Sequence, residues 1–376
     1  MPRPPISELE AFMFNSSELI RPHILHMPAY EPILPFEVLS EQLGRSADEI
    51  IKLDANENPY GALPEVAESL ARLPYAHIYP DPESRSLRLA LAKYHNLPVE
   101  NILAGAGADE LIDLLLRLLI DPGDQIINCP PTFGMYAFDA DLNRAGVITV
   151  PRLADFSLDM PSIARAVAAQ RPKLVFLCSP NNPDGSLVRQ EQVSRLLDLP
   201  LIVVLDEAYI EFSTPGSSLL GQVPARQNLV VLRTFSKWAG LAGLRVGFGA
   251  FPSGLIEQLW KIKQPYNLSV AASTAAQVSI EHASGLLEKV DTIVLERQRL
   301  DAELATIPWI TTYPSQANYI LCRVKGRDAR GLKLELARQG ILVRYFNKPG
   351  LQDHIRISVG KPAHTDKLIS ILKTLE

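Results

Sequence analysis

Three apolar runs constrain this chain most. They are Leu174-Val-Phe-Leu-Cys178, Leu201-Ile-Val-Val-Leu205 and Leu229-Val-Val-Leu232. Each has the length of a strand, and none alternates apolar with polar residues. A strand of that kind is buried on both faces, as in a parallel sheet covered by helices. Helical patterns lie among these runs, including Leu111, Leu114, Leu115, Leu118 and Leu119, and the stretch from Glu191 to Leu197. The expected architecture is α/β, with a mostly parallel central sheet sandwiched by helices. Open sheets of this class bind ligands beyond the carboxyl ends of their strands. The polar residues that end each run are therefore the candidates for chemistry.

Lys237 follows the third run, in Arg233-Thr-Phe-Ser-Lys237, with Ser236 beside it and Gly240, Gly243 and Arg245 beyond. Alone, such a lysine reads as a solvated surface residue. With a lowered pKa it is an amine nucleophile towards a carbonyl. Asp206 ends the second run, where a carboxylate suffers desolvation unless it is paired. It reads either as a helix cap or structural ion pair, or as an acceptor for a buried ring nitrogen. Tyr209 lies just beyond as a hydroxyl donor. Asn181 and Asn182 follow the first run between two prolines, as a plain turn or as an amide donor on a stiff loop. Gly105-Ala-Gly-Ala-Asp-Glu110 opens a helix, where small residues and free amides suit a phosphate. It fails as a dinucleotide fingerprint, because Glu110 stands where the third glycine belongs.

A lysine amine, an acidic partner for a pyridine nitrogen and a phosphate turn are what pyridoxal 5'-phosphate requires of a protein. Further motifs make the likeness specific: Asp54-Ala-Asn-Glu-Asn-Pro-Tyr-Gly, Tyr79-Pro, Cys129-Pro-Pro-Thr-Phe-Gly-Met-Tyr, Tyr266-Asn-Leu-Ser and Arg356-Ile-Ser-Val-Gly. The chain resembles the fold-type-I pyridoxal-phosphate aminotransferases over residues 54 to 360, and within them the branch that acts on histidinol phosphate. The resemblance implies that Lys237 bonds to the cofactor and moves the proton at the substrate carbon. It implies that Asp206 pairs with the ring nitrogen, that Asn182 and Tyr209 hold the phenolic oxygen, and that Phe133 stacks on the ring. Ala108, Asp109, Ser236 and Arg245 would bind the cofactor phosphate. Tyr79 would reach that phosphate from a neighbouring subunit, which implies a homodimer. Arg344 and Arg356, with Asn182, would hold the substrate phosphate or the carboxylates of glutamate and 2-oxoglutarate, since a guanidinium matches both. Tyr30 would cover the substrate. Three departures stand out: Asp184 where relatives usually carry Thr, Trp238 after the lysine, and Phe133 in place of Tyr.

The expected organisation is an N-terminal arm (1–51), a large cofactor-binding domain (52–272) and a smaller α+β domain (273–376). Prolines at 2, 4, 5, 22, 28, 32 and 35 rule out a continuous helix through much of the arm. In the small domain one long helix is expected over 277–304, with Gly285 as its candidate break. The net charge of −5 disfavours a nucleic-acid partner. The three cysteines form neither a metal-ligand spacing nor a disulfide framework. No apolar run approaches a membrane span, and Met-Pro-Arg-Pro-Pro lacks the apolar core of a signal peptide. The expectation is a cytoplasmic enzyme without metal. Its expected reaction takes the amino group of glutamate to imidazole-acetol phosphate. An aromatic or broad-specificity aminotransferase and a threonine-phosphate decarboxylase-like enzyme are the alternatives on the same scaffold. A DNA-binding regulator is disfavoured by the arm, which shows no helix-turn-helix pattern.

Overall fold

A computed structural model describes residues 15–29 and 34–375. Tyr30 lies outside the described residues. Residues 15–29 belong to a unit of their own, with a short 3-10 helix at Ser16–Leu19 and a turn of helix at Pro22–His26. The rest of the chain carries two sheets. In chain order the strands are β1 (Ile51–Leu53), β2 (Ile102–Gly105), β3 (Gln125–Asn128), β4 (Gly146–Thr149), β5 (Leu174–Cys178) and β6 (Ile202–Asp206). There follow β7 (Leu229–Thr234), β8 (Gly247–Ala250), β9 (Ile310–Thr312), β10 (Tyr319–Val324), β11 (Ile341–Tyr345) and β12 (His354–Ser358).

The seven-stranded sheet runs in the order β2-β8-β7-β6-β5-β3-β4. Strands β3 to β7 pair in parallel, and β8 is antiparallel to both neighbours. The three apolar runs are its central strands β5, β6 and β7. Every residue of β5 and β7 is buried, as their unbroken hydrophobicity requires. Full burial of a Val or Leu contributes about 1.5–3 kcal/mol, so these strands anchor the core.

Strand β8 was not expected from the sequence. Gly-Phe-Gly-Ala has little strand character, since glycine is depleted in strands. Close approach accounts for it. A Cβ on Gly247 would lie 2.7 Å from the Arg233 carbonyl oxygen and 2.8 Å from the Ala108 nitrogen. Gly247 pairs with Gly105 on one side and Thr234 on the other. The glycine thus leaves room for the close approach of β7 and the first turn of helix Gly107–Leu119.

The second sheet runs β1-β11-β12-β10-β9, antiparallel apart from the β1–β11 pair. Strand β1 comes from the start of the chain, at the expected junction of arm and large domain. The expected long helix is two, Val270–Glu281 and Ala283–Leu304. They divide at His282, three positions before Gly285, and Gly285 continues inside the second. Ser269 caps the first by accepting from the Ala272 amide at 3.1 Å. Among the described residues no helix is long and apolar enough to cross a membrane.

Candidate active site

The parallel strands deliver their C-terminal residues to one edge of the large sheet. Cys178 pairs with Asp206 and Asp206 with Leu232 in register. Asn182, Asp206 and Lys237 therefore follow three adjacent strand ends. The turn into helix Gly107–Leu119 joins them from β2, and Phe133 from the segment after β3.

Lys237 is partly exposed. Its Nζ lies 3.5 Å from the Ala55 carbonyl and 5.8 Å from the centre of the Tyr209 ring. Desolvation, reinforced by Arg356, lowers its ammonium from 10.5 to about 8. Half of this amine is then free near pH 8, so capture of a carbonyl ligand by the ligand-free protein should rise about tenfold per pH unit up to that point and flatten above it. Stopped-flow absorbance with pyridoxal phosphate measures this. A rate still climbing towards pH 10.5 would contradict a lowered amine.

Asp206 is buried. Its Oδ2 accepts from the Tyr136 hydroxyl at 2.6 Å and its Oδ1 from the Ala208 amide at 3.1 Å. Burial raises its carboxyl to about 6, against the opposing effect of those two hydrogen bonds. Tyr209, also buried, accepts at its hydroxyl from Asn56 Nδ2 at 3.1 Å and from Asn182 Nδ2 at 3.4 Å. Asn182 Oδ1 in turn accepts from Arg356 Nη1 at 2.6 Å, and Arg356 Nη2 donates to the Asp54 carbonyl at 2.7 Å.

Arg344 and Arg356 are directly opposite on the antiparallel pair β11–β12. Like charges in that relation repel, and an anion between them would relieve this. Phe346 is near both, with its ring centre 5.9 Å from the Arg344 guanidinium and 5.7 Å from that of Arg356. Arg356 is buried and its Nε lacks a hydrogen-bond partner.

The turn before helix Gly107–Leu119 forms a cradle. The first turn of any helix leaves amides unpaired. Gly107 has φ +81°, and a Cβ there would come 2.7 Å from Arg245 Nη2. Arg245 pairs with Asp109 at 2.7 Å, and Ser236 Oγ accepts from Thr234 Oγ1 at 2.9 Å. Glu110, which breaks the glycine fingerprint, has its own task. It accepts from the Ala106 amide at 2.6 Å and from Asn267 at 2.7 Å, and so pins the entry to the helix. Tyr79 is highly exposed and stacks on Tyr266, with ring centres 4.7 Å apart.

This set fits a phosphorylated pyridine. It has a cradle of amides and a guanidinium for the phosphate, a buried carboxylate for a ring nitrogen, Tyr209 and Asn182 for a ring oxygen, and an amine for an aldehyde. Over residues 48–372 the chain matches the aminotransferase class I and II family. The chain belongs to that family. It is similar to the chloroplastic histidinol-phosphate aminotransferase of Nicotiana tabacum, at 55% identity over 94% of this chain and 86% of the relative. The histidinol-phosphate aminotransferase of Roseiflexus castenholzii is 51% identical over 94% and 97%. Among solved structures, the histidinol-phosphate aminotransferase of Sinorhizobium meliloti in complex with pyridoxal-5'-phosphate superposes with a TM-score of 0.86. That structure is 28% identical and covers 95% of this chain and 98% of its own.

Within this aminotransferase, two of the three departures have local explanations. Asp184 is buried and accepts from the Asn181 side chain and, at 3.0 Å, from the Ser186 amide. It braces the loop that carries Asn182. Trp238 is core, packed on Phe235 with ring centres 5.7 Å apart, and its carbonyl accepts from Asn58 at 2.9 Å. Two residues of the quoted motifs take roles in the candidate site that the sequence does not indicate. Asn56 (φ +55°) exchanges hydrogen bonds with Ser358 and donates to Tyr209, tying the two sheets together. Tyr136 is the partner of Asp206. An asparagine in a turn-rich segment signals a left-handed position, but nothing in the sequence says what it binds.

Proposed function

We propose that this chain transfers the amino group of L-glutamate to imidazole-acetol phosphate, giving L-histidinol phosphate and 2-oxoglutarate, with pyridoxal 5'-phosphate as cofactor. The near-full-length likeness to histidinol-phosphate aminotransferases carries this reading. When bound, the cofactor supplies an aldehyde that accepts the amino group and a ring that draws electrons from the substrate carbon. Lys237 would hold it through Nζ and would take and return the proton at that carbon. Asp206 would accept the hydrogen bond of the ring nitrogen. Tyr209 and Asn182 would hold the ring oxygen, and Phe133 would cover the ring face. Ala108 and Asp109, with Ser236 and Arg245, would hold the phosphate.

Arg344 and Arg356 would bind the substrate's anionic group, with Asn182 beside them. Because a guanidinium presents a fork of donors, the same pair serves the phosphate of one substrate and a carboxylate of the other. The exposed Tyr79–Tyr266 stack suits a subunit interface, and a homodimer with Tyr79 reaching the neighbour's phosphate is the proposed assembly. The proposed division remains 52–272 and 273–376, with β1 lent to the sheet of the smaller domain. Three buried free cysteines suit a reducing compartment, and the cytoplasm is the proposed location.

A substrate panel tests the reading. Purified protein is expected to transaminate histidinol phosphate with 2-oxoglutarate far faster than phenylalanine. Good turnover of phenylalanine with none of histidinol phosphate would transfer the assignment to the aromatic aminotransferases. Carbon dioxide release from threonine phosphate would point to a decarboxylase.

A further inference from the structure

Asp206 is buried at the end of β6, and the charges acting on it are the carboxylates Asp109 and Glu207, both of which disfavour its ionised form. Its two hydrogen bonds are what oppose them. The shorter comes from Tyr136, the second residue of helix Met135–Leu142, at 2.6 Å. Tyr136 is itself fully buried, so its hydroxyl has no water to turn towards. Packing sets the direction of its ring. It lies flat on Phe176 of β5, with centres 4.9 Å apart and planes within 5°. Phe133 meets it edge-on at 5.5 Å and 82°. One short segment therefore carries the residue expected to cover the cofactor ring and the hydroxyl that contacts the partner expected for its nitrogen.

We propose that Tyr136 is a positioning residue for this reaction: its hydroxyl, aimed by Phe176 and donated to Asp206 Oδ2, holds the Asp206 carboxylate ionised and aligned for the cofactor's ring nitrogen. The inference rests on the pyridoxal-phosphate reading above. A phenol is suited to the task. It donates to the charged form of the carboxylate and so favours that form, and it brings in no cation that would compete with a protonated ring. Tyr136 does not touch the reacting atoms and acts through Asp206.

Binding by the ligand-free protein tests this without turnover. The protein is titrated with pyridoxal 5'-phosphate and with an analogue in which a C–H replaces the ring nitrogen. Wild-type protein is expected to prefer the natural cofactor. Tyr136→Phe is expected to remove about tenfold of that preference, the scale of a hydrogen bond to a charged group, and to leave affinity for the carbon analogue unchanged. A preference equal to wild type overturns the proposal. So does an equal loss of affinity for both ligands, which would mean that Tyr136 only supports the fold. Should the phenylalanine variant not fold, Phe176→Leu is read in the same way, since it keeps the hydroxyl but frees its direction. A reduced preference is expected there, and an unchanged one overturns the aiming role. Wild-type protein that binds both ligands equally overturns the reading of Asp206 itself, and the proposal with it.

Discussion

Lys237→Ala is expected to lower transamination by at least about 10⁴-fold, the upper range for a positioned acid–base group alone. The lysine would serve both as the covalent anchor and as the proton carrier, and among the described residues no other side chain is placed to do both. The visible absorbance of the purified protein, and its bleaching by borohydride, should disappear together with activity. The variant should fold. Lys237 is desolvated and its ammonium disfavoured, with its pKa lowered to about 8, so its removal takes away a cost as well as a contact. Full turnover in a folded Lys237→Ala protein would end the assignment. Loss of activity with loss of the melting transition would say nothing against it, so both are measured on one preparation.

Arg356→Ala has the second largest expected effect. The arginine is buried, donates to Asn182 Oδ1 and to the Asp54 carbonyl, and faces Arg344 across the strand pair. Truncating a buried, hydrogen-bonded charge costs about 2–5 kcal/mol, a fall in kcat/KM of roughly thirtyfold or more. The loss should appear for glutamate and for the phosphate substrate alike, because both anions would be read by the same fork. Arg356 also sets the Asn182 amide, whose other end donates to Tyr209, so a smaller fall in kcat should accompany the rise in KM. Arg356→Lys should rescue little, since an ammonium cannot span two acceptors as a guanidinium does. Arg344→Ala, at a half-buried position, should cost less than Arg356→Ala. An Arg356→Ala enzyme with unchanged KM for both substrates would remove Arg356 from the substrate site.

The pH behaviour of Lys237 links these two results. Arg356 is one of the groups that lower the Lys237 ammonium. Removing its charge should move the pH at which the ligand-free protein captures the cofactor upwards, towards the ordinary lysine value.

Much of the candidate site was legible in the residues. The chemical types could be read because strand ends are where an unbroken apolar run meets a charge. Asp206 and Lys237 are conspicuous there, and Arg356 stands in a period-two strand. Glu110 and Asp184 could be noticed as anomalies but not explained, since each works through a backbone amide and an asparagine side chain that no pattern identifies.

Local sequence determined β5, β6 and β7, their burial and the polar turns that follow them, because hydrophobic periodicity acts within a few residues of chain. Tertiary structure alone decided that Arg344 stands opposite Arg356, that Tyr136 reaches Asp206 from 70 residues away and that Asn56 bridges Tyr209 and Ser358. It also decided that Gly-Phe-Gly-Ala is a strand. Some of these pairings join segments far apart in the chain and some join consecutive strands, but all are set by register and close packing, and a sequence carries no local signal of the partner it will meet.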